Sequence, residues 1–399
     1  MPRRGPWASR LLLAASATVL AFAAGEALLR TYLPIRPVLF ELDSRLLYRH
    51  RAGARKRVWL PPSAGGGSMV LQINPEGRRG PRRTADGPPQ IIVYGDSLIA
   101  AQTTPDDETL PAQLQSVLLE RFGLATTVIN AGVTGYGPDQ VSLLMEDDLR
   151  RARPALVIVA VFAGNDFGDL LRNKLFRLDS QGGIQPNRWR HAPALAAEFR
   201  DAENQPRLHV VRAVLALRDR FVGLLRGGPV SPPGGIEARL AECRRDYETF
   251  VIEGDDEVRN ILWDYIDWDL CLQPEAASSR TKRTLMAGVL ARIRNLARDH
   301  EVPLLLVIIP APHAIPNPAE PGDARRAAPP CDLGLLSTEI SRIIATLSIP
   351  ALDLLTPFRA AQDAPLYHYD GDYHWNPRGN GLAAELLAEK IVRDRLIRP

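Results

Sequence analysis

Ser97, His374 and Asp372 are the residues whose types and spacing suggest joint chemistry. Ser97 closes Gly95-Asp96-Ser97, directly after the apolar run Ile91-Ile92-Val93-Tyr94. His374 lies in Asp370-Gly371-Asp372-Tyr373-His374-Trp375-Asn376-Pro377 near the C-terminus. A serine hydroxyl becomes a nucleophile when a base sits within hydrogen-bond reach and a third group fixes that base's tautomer. Ser97 supplies the hydroxyl, His374 the base and Asp372 the orienting acid, with Asp370 the second candidate for that role. The chemistry also needs donors aimed at the oxyanion. Gly135 can offer a backbone N–H, since without a side chain its backbone can approach a substrate closely. Asn165 can offer a side-chain N–H₂, and Ser97 its own N–H. Taken alone, Gly-Asp-Ser after a strand is also an ordinary turn and helix cap.

These residues need a scaffold that brings them to one edge. Residues 90–163 alternate strand and helix. The strands are expected at Ile91–Tyr94, Thr126–Asn130 and Ala155–Phe162, the helices near Glu108–Phe122 and Pro138–Leu149. The alternation resumes over 280–354, with helices near Thr281–His300 and Leu333–Leu347 and strands at Pro303–Ile309 and Ala351–Leu354. A last helix is expected over Gly381–Leu396. Short apolar runs ending in glycine turns read as buried strands of a parallel sheet. Such alternation implies right-handed βαβ units. Ligands gather past the carboxyl ends of such strands. Gly95-Asp96-Ser97, Asn130–Gly137 and Ala163-Gly164-Asn165-Asp166 would therefore converge.

Composition is ordinary for a globular chain: 399 residues, 45% apolar, 24% charged, net charge +3. The small net charge gives no reason to expect a nucleic-acid partner. The three cysteines, Cys243, Cys271 and Cys331, form no C-x-x-C pair. No zinc or redox motif results, and which pair would bridge in an oxidising compartment is open. No histidine–carboxylate cluster has metal-ligand spacing.

Residues 1–30 carry Arg3, Arg4 and Arg10 and then a largely apolar stretch broken by Glu26. This reads as a signal anchor that leaves the bulk of the chain outside the cytoplasm (periplasmic), or as a secretory signal removed near Ala21–Ala24. Either way the membrane is an expected partner. Residues 31–89 are rich in Pro, Gly and Arg and read as a lead-in packed on the core, with a short strand at Met69–Asn74. Residues 167–280 interrupt the alternation and read as an inserted helical cap, most helix-like over Glu237–Trp268. Its Trp263, Tyr265 and Trp268 read as core before ligand box. His313 and His368 read as loop residues, His313 near the cleft, while Trp375 is expected to pack beside the base. Asp96 and Asp166 read as turn or cap anchors.

Gly95-Asp96-Ser97 resembles block I of the SGNH (GDSL-like) hydrolases. Asn130–Gly135 is similar to block II, Gly164-Asn165-Asp166 to block III and Asp372–Pro377 to block V, all in the family's order. The resemblance covers Gln90–Asp166 and Lys282–Leu396, with Ile73–Arg78 also similar to bacterial members. The usual family spacing is Asp-x-x-His, whereas here it is Asp372-x-His374, which some membrane-associated relatives also use. The resemblance implies a flavodoxin-like three-layer α/β/α fold with a five-stranded parallel sheet and an ester-directed activity without cofactor. By motif position it assigns Ser97 as nucleophile, His374 as base, Asp372 as acid, and Ser97, Gly135 and Asn165 as oxyanion donors. The expected function is serine ester hydrolysis of an O-acyl substrate, an acylated glycan or a short ester. The alternatives are O-acyl transfer to a cell-surface glycan and a silent envelope scaffold. Acyl chain, alcohol and oligomeric state are not legible.

Overall fold

Five apolar runs form one parallel sheet in the computed structural model, which describes residues 6–32, 39–82, 87–203, 208–211, 213–214, 236–252, 255–259, 261, 265–317, 331–361, 363–369 and 373–397. The N-terminal helix α1 spans Pro6–Tyr32. Two antiparallel hairpins come next, β1 (Phe40–Asp43) with β2 (Leu47–His50) and β3 (Arg55–Trp59) with β4 (Ser68–Gln72). Then come β5 (Gln90–Gly95), α2 (Ser97–Ala100), α3 (Leu110–Phe122), β6 (Thr127–Gly132), α4 (Pro138–Leu149), β7 (Leu156–Ala163) and α5 (Asp166–Asn173). The insert holds β8 (Phe176–Leu178), β9 (Ile184–Pro186), β10 (Arg190–His191), α6 (Pro193–Glu203), α7 (Ile236–Val251), β11 (Glu257–Val258) and α8 (Trp268–Leu272). The chain closes with α9 (Ala277–Asp299), β12 (Leu304–Pro310), α10 (Gly334–Leu347), β13 (Ala351–Asp353), α11 (Leu355–Ala360) and α12 (Pro377–Arg393).

The main sheet runs β13-β12-β7-β5-β6, all parallel. Numbered by chain order that is 2-1-3-4-5, the flavodoxin-like order. Alternate side chains on each strand enter opposite cores, as a period of two requires. Ile92 and Tyr94 join one cluster with residues of α4, α5, α9 and α10. Ile91 and Val93 join the other with residues of α3 and α12. Both faces are covered, which explains why the strands are continuous apolar runs. The chain direction across the sheet reverses between β5 and β7. Ser97 comes after one of these strands and Asn165 after the other, so both stand at the topological switch point where such sheets bind ligands.

The lead-in packs on the second turn of the carboxyl edge. Tyr48 is fully buried, and its hydroxyl donates to the Thr134 carbonyl at 2.7 Å. Tyr136 donates back to the Tyr48 carbonyl. Gln140 Nε2 donates to Leu46 O at 2.8 Å.

Three local expectations need correction. The helix expected over Glu237–Trp268 ends at Val251, in a sequence that then reads Ile252-Glu253-Gly254-Asp255-Asp256. Glycine and consecutive aspartates disfavour continuation. Trp263 lies outside the described residues. The insert also mixes helices with two small strand pairs, β8–β9 and β10–β11. A separate helix, α2, begins at Ser97, ahead of the longer helix expected after the Gly-Asp-Ser turn.

The apolar stretch Ser9–Arg30 of α1 is long and apolar enough to cross a membrane, and 6% of it is buried. Glu26, the one acid in it, accepts from Arg30 Nε at 2.9 Å and from Val210 N at 3.0 Å.

Candidate active site

Ser97 is the first residue of α2, a helix of 4 residues capped by Asp96, whose Oδ1 accepts from Leu98 N at 2.9 Å. Asp96 is thus the turn anchor expected from the sequence. The helix lies tightly against the sheet because two glycines permit it. A Cβ on Gly132 would stand 2.4 Å from Ala100 N, and one on Gly95 would stand 2.5 Å from Ile99 Cγ1. Asn130 Nδ2 donates to Ile99 O at 2.7 Å and fixes the helix from beside.

His374 is carried by a tight loop just before α12. Asn376 caps that helix, its Oδ1 accepting from Gly379 N at 2.9 Å, with Pro377 in the first turn where no N–H is missed. His368 N donates to His374 O and Tyr373 N donates to His368 O, each at 2.8 Å. Tyr373 sits at φ 56°, a left-handed conformation that costs a non-glycine residue about 1–2 kcal/mol. Strain of this kind persists where surrounding contacts over-determine it. Trp375 is buried against Phe358, ring centroids 5.7 Å apart, and packs beneath the loop as expected. His368 proves to be buried, with Nδ1 2.6 Å from Ser63 Oγ of the lead-in.

The outcome is direct contact across 277 residues: His374 Nε2 lies 2.8 Å from Ser97 Oγ. That is the nucleophile–base geometry of serine catalysis. Both residues are half-buried and open into a cleft of about 410 Å³. Asn165, Gly164, Thr134, Phe162, Tyr265, Ile266, Pro312, His313 and Tyr373 complete most of its lining. The structure therefore brings Ser97, His374 and Asn165 to one cavity. Gly135 is not itself among the lining residues. It adjoins Thr134 at φ 78°, a conformation suited to glycine. Asp372 and Asp370 lie outside the described residues.

Asp166, next to Asn165, is buried, and its Oδ2 accepts from Phe162 N at 2.7 Å. Burial raises its carboxyl well above the ordinary carboxylate range, and the nearby charges of Asp96 and Asp169 push the same way. A carboxyl so placed anchors the turn rather than acting as a base, as its position in the sequence suggested.

Sequence reasoning missed several residues. Arg79, 2% exposed, reaches from the lead-in under α2, donating to Ala100 O at 2.9 Å and also to the Ala101 and Thr104 carbonyls. Its Nε meets Asp106 Oδ1 at 2.7 Å. Tyr265 and Phe162 form cleft wall, and exposed His313 stacks on Tyr373 at 5.2 Å. Its position after a strand end places His313 near the cleft, Tyr265 reads as core, and the sequence does not single out Arg79 and Phe162. The disulfide, left open by spacing, joins Cys271 to Cys331 with Cα atoms 6.3 Å apart, and Cys243 is a free buried thiol.

Residues 260–398 match the family described as ALGX, SGNH hydrolase-like domain, acetyltransferase AlgX. That match contains His374 and begins after Ser97, Gly135 and Asn165. No curated protein matches the chain. Among solved structures, an acetyl xylan esterase, AlAXEase, is 13% identical with TM-score 0.36, covering 76% of this chain and 99% of its own. A GDSL-like lipase from Bacteroides thetaiotaomicron is 12% identical with TM-score 0.33, covering 76% and 88%. A mutant of Axe2, an acetyl-xylooligosaccharide esterase from Geobacillus, is 10% identical with TM-score 0.34, covering 76% and 94%. Likeness at this level carries no weight for activity. Residues 260–398 thus match an SGNH hydrolase-like family, and the four blocks that resemble that family's signature stand in order along a 2-1-3-4-5 parallel sheet.

Proposed function

We propose that this protein is a serine-dependent acyl-transfer enzyme that hydrolyses an O-acyl ester through a Ser97 acyl-enzyme. The observation that carries the reading is the 2.8 Å contact between His374 Nε2 and Ser97 Oγ in the lining of the cleft. Ser97 Oγ attacks the acyl carbonyl as its proton passes to His374 Nε2. The Ser97 N–H, the Gly135 N–H and the Asn165 amide receive the developing oxyanion. Collapse breaks the ester C–O bond, and His374 returns its proton to the departing alcohol. Water then attacks the acyl-enzyme, giving its proton to His374, and free Ser97 and the carboxylic acid are released. Asp372 is assigned to hold the imidazole, with Asp370 second. Removing one oxyanion donor typically costs about 10²–10³ in turnover.

The second reading replaces water with a sugar hydroxyl, giving O-acyl transfer to a cell-surface glycan. The description of the matching family, which names an acetyltransferase, favours it. The site chemistry is the same in both until the acceptor arrives, and the segment 167–280 is assigned the choice of acceptor. We place the catalytic domain outside the cytoplasm, anchored by α1 or released from it. The apolar span and the Cys271–Cys331 disulfide support this, since disulfides persist in oxidising compartments.

The test is labelling of the full chain in detergent with a fluorophosphonate probe, beside Ser97→Ala and His374→Ala. Labelling absent in Ser97→Ala and sharply reduced in His374→Ala is the expected result. A folded wild type that neither labels nor turns over short esters or acetylated sugars would leave the silent scaffold as the reading. Release of free acid against acylated glycan product then separates hydrolysis from transfer.

A further inference from the structure

Asp267 grips the turn that carries Asn165 from both sides. It is fully buried, two residues past Tyr265 of the cleft wall. Its backbone N–H donates to Gly164 O at 2.8 Å, immediately before Asn165. Its Oδ2 accepts from Gly168 N at 3.0 Å, in the first turn of α5 immediately after it. Gly168 has no side chain to block this: a Cβ there would stand 2.7 Å from Asp267 Oδ1. The remaining oxygen is held by Lys282 of α9, Nζ to Oδ1 2.7 Å, with both side chains wholly buried. Lys282 also meets Asp269 Oδ1 at 2.7 Å. Burial works against the Lys282 ammonium, but Asp267 leads the charges that more than offset it, so it stays protonated.

A buried ion pair is an ineffective way to add stability, because apolar residues of similar size do as well. What this one does that apolar residues cannot is fix a carboxylate that bonds backbone. A turn pinned at the residues on either side of Asn165 leaves that amide little freedom, and electrostatic stabilisation of a transition state depends on donors held in advance. We propose that Asp267, locked by Lys282, is a positioning residue that sets the Asn165 amide for oxyanion stabilisation. The inference rests on the proposed roles of Ser97 and Asn165.

A double-mutant cycle in the full chain tests it, using p-nitrophenyl acetate turnover and fluorophosphonate labelling. Asp267→Ala is expected to lower kcat about 30–100-fold with KM within about threefold, near the effect of losing one oxyanion donor. In an Asn165→Ala background the same change is expected to add less than about threefold, because residues acting as one unit are not additive. A merely structural role would instead lower thermal stability and leave kcat per labelled site unchanged. Asp267→Asn keeps an acceptor for Gly168 N–H and is expected to recover much of the loss. Should Asp267→Ala fail to fold, Asp267→Asn with Lys282→Met removes one charge of each sign and leaves the net charge of the site unchanged. It is expected to lose about tenfold in the wild-type background and nothing further beside Asn165→Ala. Equal losses in both backgrounds, kcat within threefold of wild type, or an Asn165→Ala enzyme of normal kcat would each overturn the proposal. A wild type without Ser97-dependent turnover would overturn the underlying reading instead.

Discussion

Replacing Gly132 with alanine is the most direct test of how the fold holds Ser97. The glycine lies at the end of β6, under α2. An added Cβ would stand 2.4 Å from Ala100 N and 2.7 Å from Ile99 C, where ordinary contact begins at 3.4 Å. Both atoms are backbone, so no side chain can swing away, and the helix must recede by about 1 Å. That helix begins at Ser97 and is held by Asn130 and Arg79, so it cannot recede without moving the hydroxyl from His374. Overpacking costs about 1–3 kcal/mol. A displacement of about 1 Å at reacting atoms costs about 10²-fold in rate. The assay is the second-order rate of fluorophosphonate labelling, with denaturant unfolding alongside. Gly288→Ala is the control: its Cβ would meet Ile184 Cγ2 at 2.3 Å, and neither residue lines the cleft. It is expected to cost comparable stability and leave labelling within about twofold. A Gly132→Ala protein that labels within threefold of wild type would refute the claim that close helix–strand packing sets the Ser97 hydroxyl.

Arg79→Met is expected to slow labelling about tenfold or more, since three carbonyls of the α2 segment lose their shared donor; unchanged labelling would show that α2 is held without it. His50 predicts a pH effect on stability. Burial lowers its pKa from 6.5 to about 4, and Arg78 acts in the same direction. A depressed histidine pKa favours the neutral form in the fold, so its contribution is intact above pH 6.5. That contribution is lost as pH falls toward 4, a change of about 3 kcal/mol. Urea unfolding of wild type and His50→Phe at pH 7.5 and 4.5 checks this, and the same pH slope in both would count against it. Replacing Cys271 and Cys331 together by serine removes a crosslink spanning 60 residues and is expected to cost up to about 4 kcal/mol by loop entropy; equal unfolding midpoints with and without reductant would contradict that.

The sheet was legible because each strand is an apolar run ended by a glycine turn, a pattern produced by covering both sheet faces. Strand bounds moved by one or two residues, as with β6 at Thr127–Gly132 in place of Thr126–Asn130. Helix α4 appeared where expected, because Pro138 starts it and its apolar face is periodic. The insert was not legible: α7 stops at Val251, and the chain from Asp267 onward is held by Lys282 and the Cys271–Cys331 bridge, contacts distant in sequence.

The sequence by itself indicated which residues could do chemistry and, through strand and turn order, that Ser97, Asn165 and His374 would meet at one sheet edge. Block spacing named Ser97, Gly135, Asn165 and His374 because backbone turns and nucleophiles have local signatures. Only the tertiary structure decided that Ser97 and His374 touch, that Arg79 of the lead-in clasps the helix that begins at Ser97, and that Tyr265 of the insert walls the cleft. The physical reason is that a buried arginine, a cleft-wall tyrosine or a pinned aspartate is specified by partners far along the chain. Those partners exist as neighbours only once the cores on both faces of the sheet have closed.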